Sequence, residues 1–407
     1  MTRLKRLFAI YGFVEGASVI AHRLVLKRLI PLLKPVAHWR LKRLLPKGAR
    51  IIIVRSTLDW AYPYSQRVHH LAREWVRQGR TVVFVSPSTG HDRVLVASSP
   101  KPGLVVTPHG AAALAAAERP LYLALSTDAT LTENDADRVR ACGGTMIYDY
   151  IDHMDDAVSG RPNPPERLRL HERLLADEET IVLASADALL REVAGKRRRN
   201  YSLVTNGVDV EHFKGVSRER VALRADFAAL VGRGRPMLGY YGSLASWFDY
   251  ELVRRLAQER PGCDVVLIGP DIDGTSSALV GRPPNLFVLP AMRYEDLPSH
   301  AVWFDVCLVP FVVNDITLAT SPLKIFEYMA LSRSTVSTDL PECRKYRSVL
   351  IADADGFAEA CDRALSLKDD PAFRAIALAE CEENNWAWKV SILAEEGMPC
   401  RRDSVQP

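Results

Sequence analysis

Ile316-Thr-Leu-Ala-Thr-Ser-Pro-Leu-Lys-Ile-Phe-Glu-Tyr-Met-Ala-Leu331 is the stretch whose reading decides the fold. Just upstream, Val306-Cys307-Leu308-Val309-Pro310-Phe311 is an apolar run that fits a buried parallel strand. Ser321 suits an N-cap, and Pro322 suits the first helical position, where a missing N–H costs nothing. Leu323 and Lys324 then stand in the first turn of a helix, and Glu327 shares the face of Lys324 three residues on. Unsatisfied N–H groups, the positive end of the helix dipole and an ammonium together make an anion site suited to a diphosphate. A carboxylate one turn deeper can accept hydrogen bonds from a ribose. The alternative is a surface helix carrying an i,i+3 ion pair worth about 0.2–0.5 kcal/mol, and the flanking sequence decides against it.

Working outward, Tyr240-Tyr241-Gly242-Ser243-Leu244 has the form of a strand running into a glycine turn, where a residue without Cβ lets backbone N–H groups approach a phosphate. The alternative there is an ordinary turn between strand and helix. Val265-Val266-Leu267-Ile268-Gly269-Pro270 forms a second strand and turn. Asn285-Leu286-Phe287-Val288-Leu289-Pro290, followed by Tyr294-Glu295-Asp296-Leu297-Pro298, forms a third strand and a helix start. Together with Thr205-Asn206-Gly207-Val208-Asp209 and Phe213, these segments resemble, in order, the glycosyltransferases of GT-B architecture. The likeness covers about residues 50–390, and its nearest form is the family-4-like bacterial polysaccharide and teichuronic-acid-type group.

The resemblance implies an α/β protein of two Rossmann-like domains that takes a UDP- or GDP-sugar as co-substrate, with no cofactor and no metal. Gly242, Ser243, Ser321, Leu323 and Lys324 would hold the diphosphate, and Glu327 the ribose. Many retaining members carry a second glutamate eight positions earlier; here that position is Ala319. Its absence leaves the donor sugar and the stereochemical outcome open. The Ser-Pro-x-Lys form is instead similar to a subgroup, including some inverting glucuronosyltransferases, in which a lysine holds the pyrophosphate. A nucleotide-sugar 2-epimerase of the same architecture and a non-catalytic nucleotide-sugar-binding protein are the rival readings.

Ahead of that domain, Arg50-Ile51-Ile52-Ile53-Val54, a helical pattern over Val68–Arg77 and Thr81-Val82-Val83-Phe84-Val85 make a β-loop-α-β opening. Leu104–Thr107, Leu121–Leu125 and Thr145–Tyr148 supply further strands, and Ile181–Ala184 precedes a helix over Ala186–Val193. No G-x-G-x-x-G is present, which argues against dinucleotide binding. The loop Ser56–Arg67 leaves the C-terminal end of the first strand, where open α/β sheets bind ligands. Asp59, Trp60, Gln66 and Arg67 are its candidates for contact with a saccharide or lipid-linked acceptor; a surface lid is the alternative. His69-His70 reads as a half-buried helix face. Tyr148-Asp149-Tyr150-Ile151-Asp152-His153 ends another strand, and Asp149 or Asp152 could serve as the general base that an inverting transfer needs. A structural hydrogen bond or a helix cap explains either carboxylate equally well. Asp271-Ile272-Asp273, before Gly274, is turn chemistry rather than a metal site.

Charge is distributed unevenly. The whole chain carries a formal +4, but residues 1–50 hold twelve Lys/Arg against Glu15 alone. In Leu24–Lys34 the basic residues recur among Leu, Ile and Val, as in helices that lie in a bilayer interface. The apolar run Leu7–His22 is interrupted by Glu15 and too short to span, and no signal-cleavage pattern follows it. An anionic membrane surface is therefore the expected partner; a helical extension packed on the body, or a basic tail, is the alternative. Nucleic acid is not expected, because no aromatic platform accompanies the charge. Seven cysteines without a C-x-x-C pair point to a reducing compartment. The expected plan is a basic amphipathic extension (1–48), an acceptor domain (49–215), a nucleotide-sugar domain (216–385) and a crossover tail (386–407). The expected location is cytoplasmic, peripheral on the inner face of the membrane.

Overall fold

A computed structural model of the protein describes residues 28–88, 90–156, 162–219 and 222–391. The chain divides into two units, with the change falling between Thr205 and Asn206. Most of the amphipathic head expected over residues 1–48, including Leu7–His22 and the first residues of Leu24–Lys34, lies outside the described residues. So does the tail beyond Ser391.

The N-terminal unit is built on strands β1 (Ile52–Arg55), β2 (Val82–Val85), β3 (Ser98–Lys101), β4 (Leu104–Thr107), β5 (Leu121–Leu125), β6 (Thr145–Tyr150), β7 (Ile181–Ala184) and β8 (Tyr201–Leu203). They form one sheet in the order β3-β4-β2-β1-β5-β6-β7-β8. All pairs are parallel except β3 with β4. Strand order reverses between β1 and β5, so the loop Ser56–Gln66 opens at the topological switch point, where such sheets bind ligands. Ile52, Ile53, Val54, Val82, Val83 and Phe84 are buried, as expected of strands covered on both faces. The helix Arg67–Arg77 follows the loop and turns Val68, Leu71, Ala72 and Trp75 into the core.

The C-terminal unit, from Asn206, contains β9 (Met237–Tyr241), β10 (Asp264–Ile268), β11 (Leu286–Leu289), β12 (Val306–Val309), β13 (Ser334–Ser337) and β14 (Val349–Ile351). Their order is β11-β10-β9-β12-β13-β14, all parallel. This is the doubly wound order, with its switch point between β9 and β12. Close approaches shape that point. A Cβ on Gly239, inside β9, would lie 2.1 Å from the Phe304 ring. One on Gly269, after β10, would lie 1.8 Å from the carbonyl oxygen of Gly242. Glycine at 269 thus lets the turns that follow β9 and β10 touch backbone to backbone.

Four strands escaped the reading of the sequence: β14 is only three residues long, and the other three lack an apolar run. β3 is Ser-Ser-Pro-Lys at an exposed edge, held by pairing with β4. β13 is Ser-Thr-Val-Ser, fully buried through its position between β12 and β14. β8 is short and only half buried. The last described helix, Trp386–Ser391, carries the chain out of the C-terminal unit at Trp388, and Lys389 then donates to the Thr205 hydroxyl at 2.7 Å in the N-terminal unit.

Candidate functional site

The C-terminal switch point brings together the turn after β9 and the second helix after β12. That helix spans Leu323–Ala330 and begins one residue later than the sequence suggested: Pro322 is its N-cap, in an extended conformation, with no side-chain cap. Ser321 is diverted from capping by Asn206. The Ser321 hydroxyl accepts the Asn206 backbone N–H at 3.4 Å, and the Ser321 carbonyl accepts Asn206 Nδ2 at 2.7 Å. Among the described residues, the first-turn N–H groups of Leu323 and Lys324 find no acceptor. The positive end of the helix is therefore left unsatisfied, which is what an incoming anion requires.

Lys324 lies between the rings of Tyr240 and Phe311, its Nζ 5.1 and 5.0 Å from their centroids. No carboxylate among the described residues is within ion-pair distance of it. Burial lowers its pKa to about 8, against the attraction of Glu327. Ring faces steady an ammonium without consuming its N–H bonds, so all three remain for a ligand. Gly242 sits against this lysine at φ +141°, and a Cβ there would lie 2.9 Å from Lys324 Cε and 3.0 Å from the Tyr240 hydroxyl. That hydroxyl donates to the Ser243 carbonyl at 3.0 Å, fixing the turn. Glu327 is buried and accepts from the Tyr241 hydroxyl through Oε2 at 2.8 Å, leaving Oε1 without a partner among the described residues. Burial raises its pKa to about 7, opposed by the Tyr241 hydrogen bond and by Lys324. All six donor-site residues named from the sequence thus converge on one switch point. Ala319 closes the short helix Asp315–Leu318 and is buried, so no carboxylate stands at that position.

Around this site the turn residues do turn chemistry. Asp271 accepts the Gly274 N–H and the Ser276 hydroxyl, while Asp273 accepts from Thr275 and from the Ser246 N–H. Asp249 caps the helix Tyr250–Glu259.

The N-terminal candidates are dispersed over different tasks. Arg67 and Asp149, expected to contact acceptor and to act as base, form a buried bidentate ion pair at 2.7 and 3.0 Å. Arg67 also donates to the carbonyls of Val204 and Thr205. Both carboxylate oxygens are thereby taken and no face of Asp149 is exposed. Asp59 is buried too; it accepts the Ser86 hydroxyl and the His91 N–H, tying two loops together. Gln66 is exposed and forms a capping box with His69. His69 is buried, its Nε2 on the Asp59 carbonyl, and its pKa is driven down to about 4 by burial. Trp60 packs edge-on against Phe84, with Arg73 and Lys101 over its ring. Asp152 keeps partial exposure, and burial raises its pKa to about 7.

A polar network beside β6 carried no sequence signal. Glu192 accepts the Tyr150 hydroxyl at 2.6 Å and lies 3.7 Å from His153, 4.0 Å from His171 and 3.2 Å from Lys196. His171, then Tyr150 and Lys196, hold Glu192 down to about pH 2. His171, Glu172 and Glu192 are close enough to share a cation, but Lys196 supplies one, at 2.7 Å from Glu172. Its residues come from two helices, a strand and the loop that follows the strand, so no spacing betrays it.

No family model matches the chain. A curated protein of Bacillus subtilis (strain 168), named provisionally as the teichuronic acid biosynthesis glycosyltransferase TuaH, is 24% identical over 257 residues. That match covers 59% of this chain and 64% of the relative, so the chain spans a little under two thirds of the relative's length. Among solved structures, Anabaena HepE in complex with UDP and glucose superposes with a TM-score of 0.60 at 13% identity, covering 85% of this chain and 98% of HepE. Sucrose-phosphate synthase from Thermosynechococcus elongatus gives 0.60 at 15% identity, covering 85% and 97%. The fold is that of the GT-B glycosyltransferases, two parallel-sheet α/β domains in tandem.

Proposed function

We propose that the chain is a glycosyltransferase, binding a nucleotide-diphosphate sugar on its C-terminal unit and passing the sugar to a saccharide, free or lipid-linked, during cell-surface polysaccharide synthesis. The observation that carries this reading is Lys324: an ammonium with no ion-pair partner among the described residues, on the first turn of a helix whose Leu323 and Lys324 amides are uncapped, at a topological switch point. The diphosphate would take those N–H groups, with the Gly242–Ser243 turn facing it, and the ribose would meet Glu327 Oε1. Two further facts support the reading: the relative's name places it in teichuronic acid synthesis, and HepE, of the same fold, was solved with UDP. UDP is therefore the favoured nucleotide over GDP. Charge on the leaving diphosphate would be met by Lys324 and the helix end, so transfer would need no metal. Asp152, with its carboxyl poised near neutrality, is the proposed base should transfer invert the anomeric centre. A basic surface near the N-terminus would keep the enzyme on the inner face of the membrane, close to a lipid-linked acceptor.

The test is nucleotide release from a panel of UDP- and GDP-sugars, with and without acceptor lipids extracted from a polysaccharide-producing bacterium. Acceptor-dependent release of UDP from one donor supports transfer. Acceptor-independent interconversion of the donor sugar would show an epimerase, and nucleotide binding with no turnover of any pair would show a binding protein.

A further inference from the structure

The described part of the basic head forms a two-faced helix. Ile30–Leu33 is a short 3-10 turn that runs directly into the helix Lys34–Leu44. One face is used internally: Ala37 and Leu41 are fully buried, and the helix packs on Gly110–Ala116, whose small side chains allow close approach. The opposite face is apolar and left uncovered by the described residues. Leu29, Leu32, Val36 and Trp39 are 40%, 75%, 48% and 52% exposed, and Arg43 continues their line with its guanidinium 4.0 Å over the Trp39 ring. Positions 29, 32, 36, 39 and 43 are three or four apart, so they run as one stripe. Four of the nine exposed large apolar side chains among the described residues fall in these eleven positions, and such clustering marks a binding face.

Charge identifies the occupant. Arg28, Lys34, Arg40, Lys42, Arg43 and Lys47 are all exposed, and no Asp or Glu occurs between Gly16 and Leu58. A second copy is disfavoured, because a two-fold contact sets a patch against itself and would oppose these cations to one another. A surface that offers both a hydrocarbon boundary and dense negative charge satisfies both halves of the stripe. We propose that the Leu29–Leu32–Val36–Trp39 face, with its basic flanks, docks on an anionic lipid bilayer. It is a preformed contact: the helix is already fixed to the N-terminal unit through Ala37 and Leu41, so docking also fixes the orientation of that unit. This deepens the membrane-side part of the functional reading and rests on it, but it uses none of the donor-site residues.

The test is co-sedimentation of the full chain with vesicles of phosphatidylcholine alone or mixed with phosphatidylglycerol, at low and high salt. Wild type, Leu32→Glu/Trp39→Glu and Arg40→Glu/Arg43→Glu are compared, with UDP titration as a control of folding and of the donor site. Salt-sensitive binding to the mixed vesicles, weakened at least about tenfold in both variants while UDP binding persists, is the expected result. Equal binding by wild type and variants, no binding by wild type, or conversion of a dimer to a monomer by the Leu32/Trp39 changes would each overturn it. Vesicle binding without UDP binding would leave docking intact and remove the donor-site reading instead.

Discussion

The guanidinium of Arg67 and the carboxylate of Asp149 face each other squarely, Nε to Oδ2 at 2.7 Å and Nη2 to Oδ1 at 3.0 Å, with neither group open to solvent. The pair joins the start of the helix Arg67–Arg77 to the end of β6, and the remaining Arg67 bonds reach the Val204 and Thr205 carbonyls. Breaking such a pair from one side leaves a buried charge without its partner. Asp149→Ala should therefore cost about 3–5 kcal/mol of stability, read as a lowered denaturant midpoint. Retained stability with abolished transfer in Asp149→Asn would instead return Asp149 to the role of base.

Asp152 should behave differently. Its carboxyl, raised to about 7 by burial, is protonated in the folded chain over a range where the unfolded chain has released the proton. Its contribution to stability thus falls as pH rises from about 4 to 7. In an inverting transfer, kcat/KM should rise through about pH 7 in wild type, and Asp152→Asn should lose that limb while keeping its fold. A profile unchanged in the variant removes Asp152 from the chemistry.

Nucleotide affinity should fall with rising pH. Lys324, lowered to about 8 by burial, loses its proton just above neutrality, and a neutral amine holds a diphosphate poorly. UDP binding is expected to weaken as pH passes through about 8. In Glu327→Gln the neighbouring anion is gone, so the midpoint should move to lower pH. Affinity flat from pH 7 to 9.5 in wild type would show that Lys324 does not meet the phosphates.

The two glycines of the turns should separate binding from folding. Gly242→Ala adds a Cβ 2.9 Å from Lys324 Cε, the movable end of a side chain, but at a φ of +141°. It should weaken UDP binding more than it lowers stability. Gly269→Ala meets the Gly242 backbone at 1.8 Å, where nothing can swing aside. Overpacking of that kind costs about 1–3 kcal/mol or more, so its melting temperature should drop further than that of Gly242→Ala. The reverse order would contradict the packing described here.

The candidate donor site could be assembled from the sequence because its parts are local: a strand, a glycine turn and a helix start each carry their own pattern, and the doubly wound order brings them together. Even the one-residue error in the cap had a distant cause, the bonds from Asn206 to Ser321. The N-terminal unit was legible as a fold, through β1, β2, β4, β5, β6 and β7, but the partners of its candidate site residues were not. Asp149 and Arg67 are polar residues at strand and loop ends, and nothing within either segment shows that 82 positions apart they neutralise each other. The Glu192 network is non-local in the same way. β13 was missed for a simpler reason: Ser-Thr-Val-Ser has no hydrophobic period, and only its place between two strands buries it.

The central claim, that Lys324 and the uncapped helix hold a nucleotide diphosphate, is tested most directly by calorimetric titration of UDP into wild type and Lys324→Ala. Loss of one charge-assisted phosphate contact should cost about 1.5–3 kcal/mol, roughly ten- to a hundredfold in affinity. Binding of UDP to wild type, weakened by that factor in a variant of unchanged fold, is the predicted result. Equal affinity in the two proteins, or no binding to wild type, would contradict it.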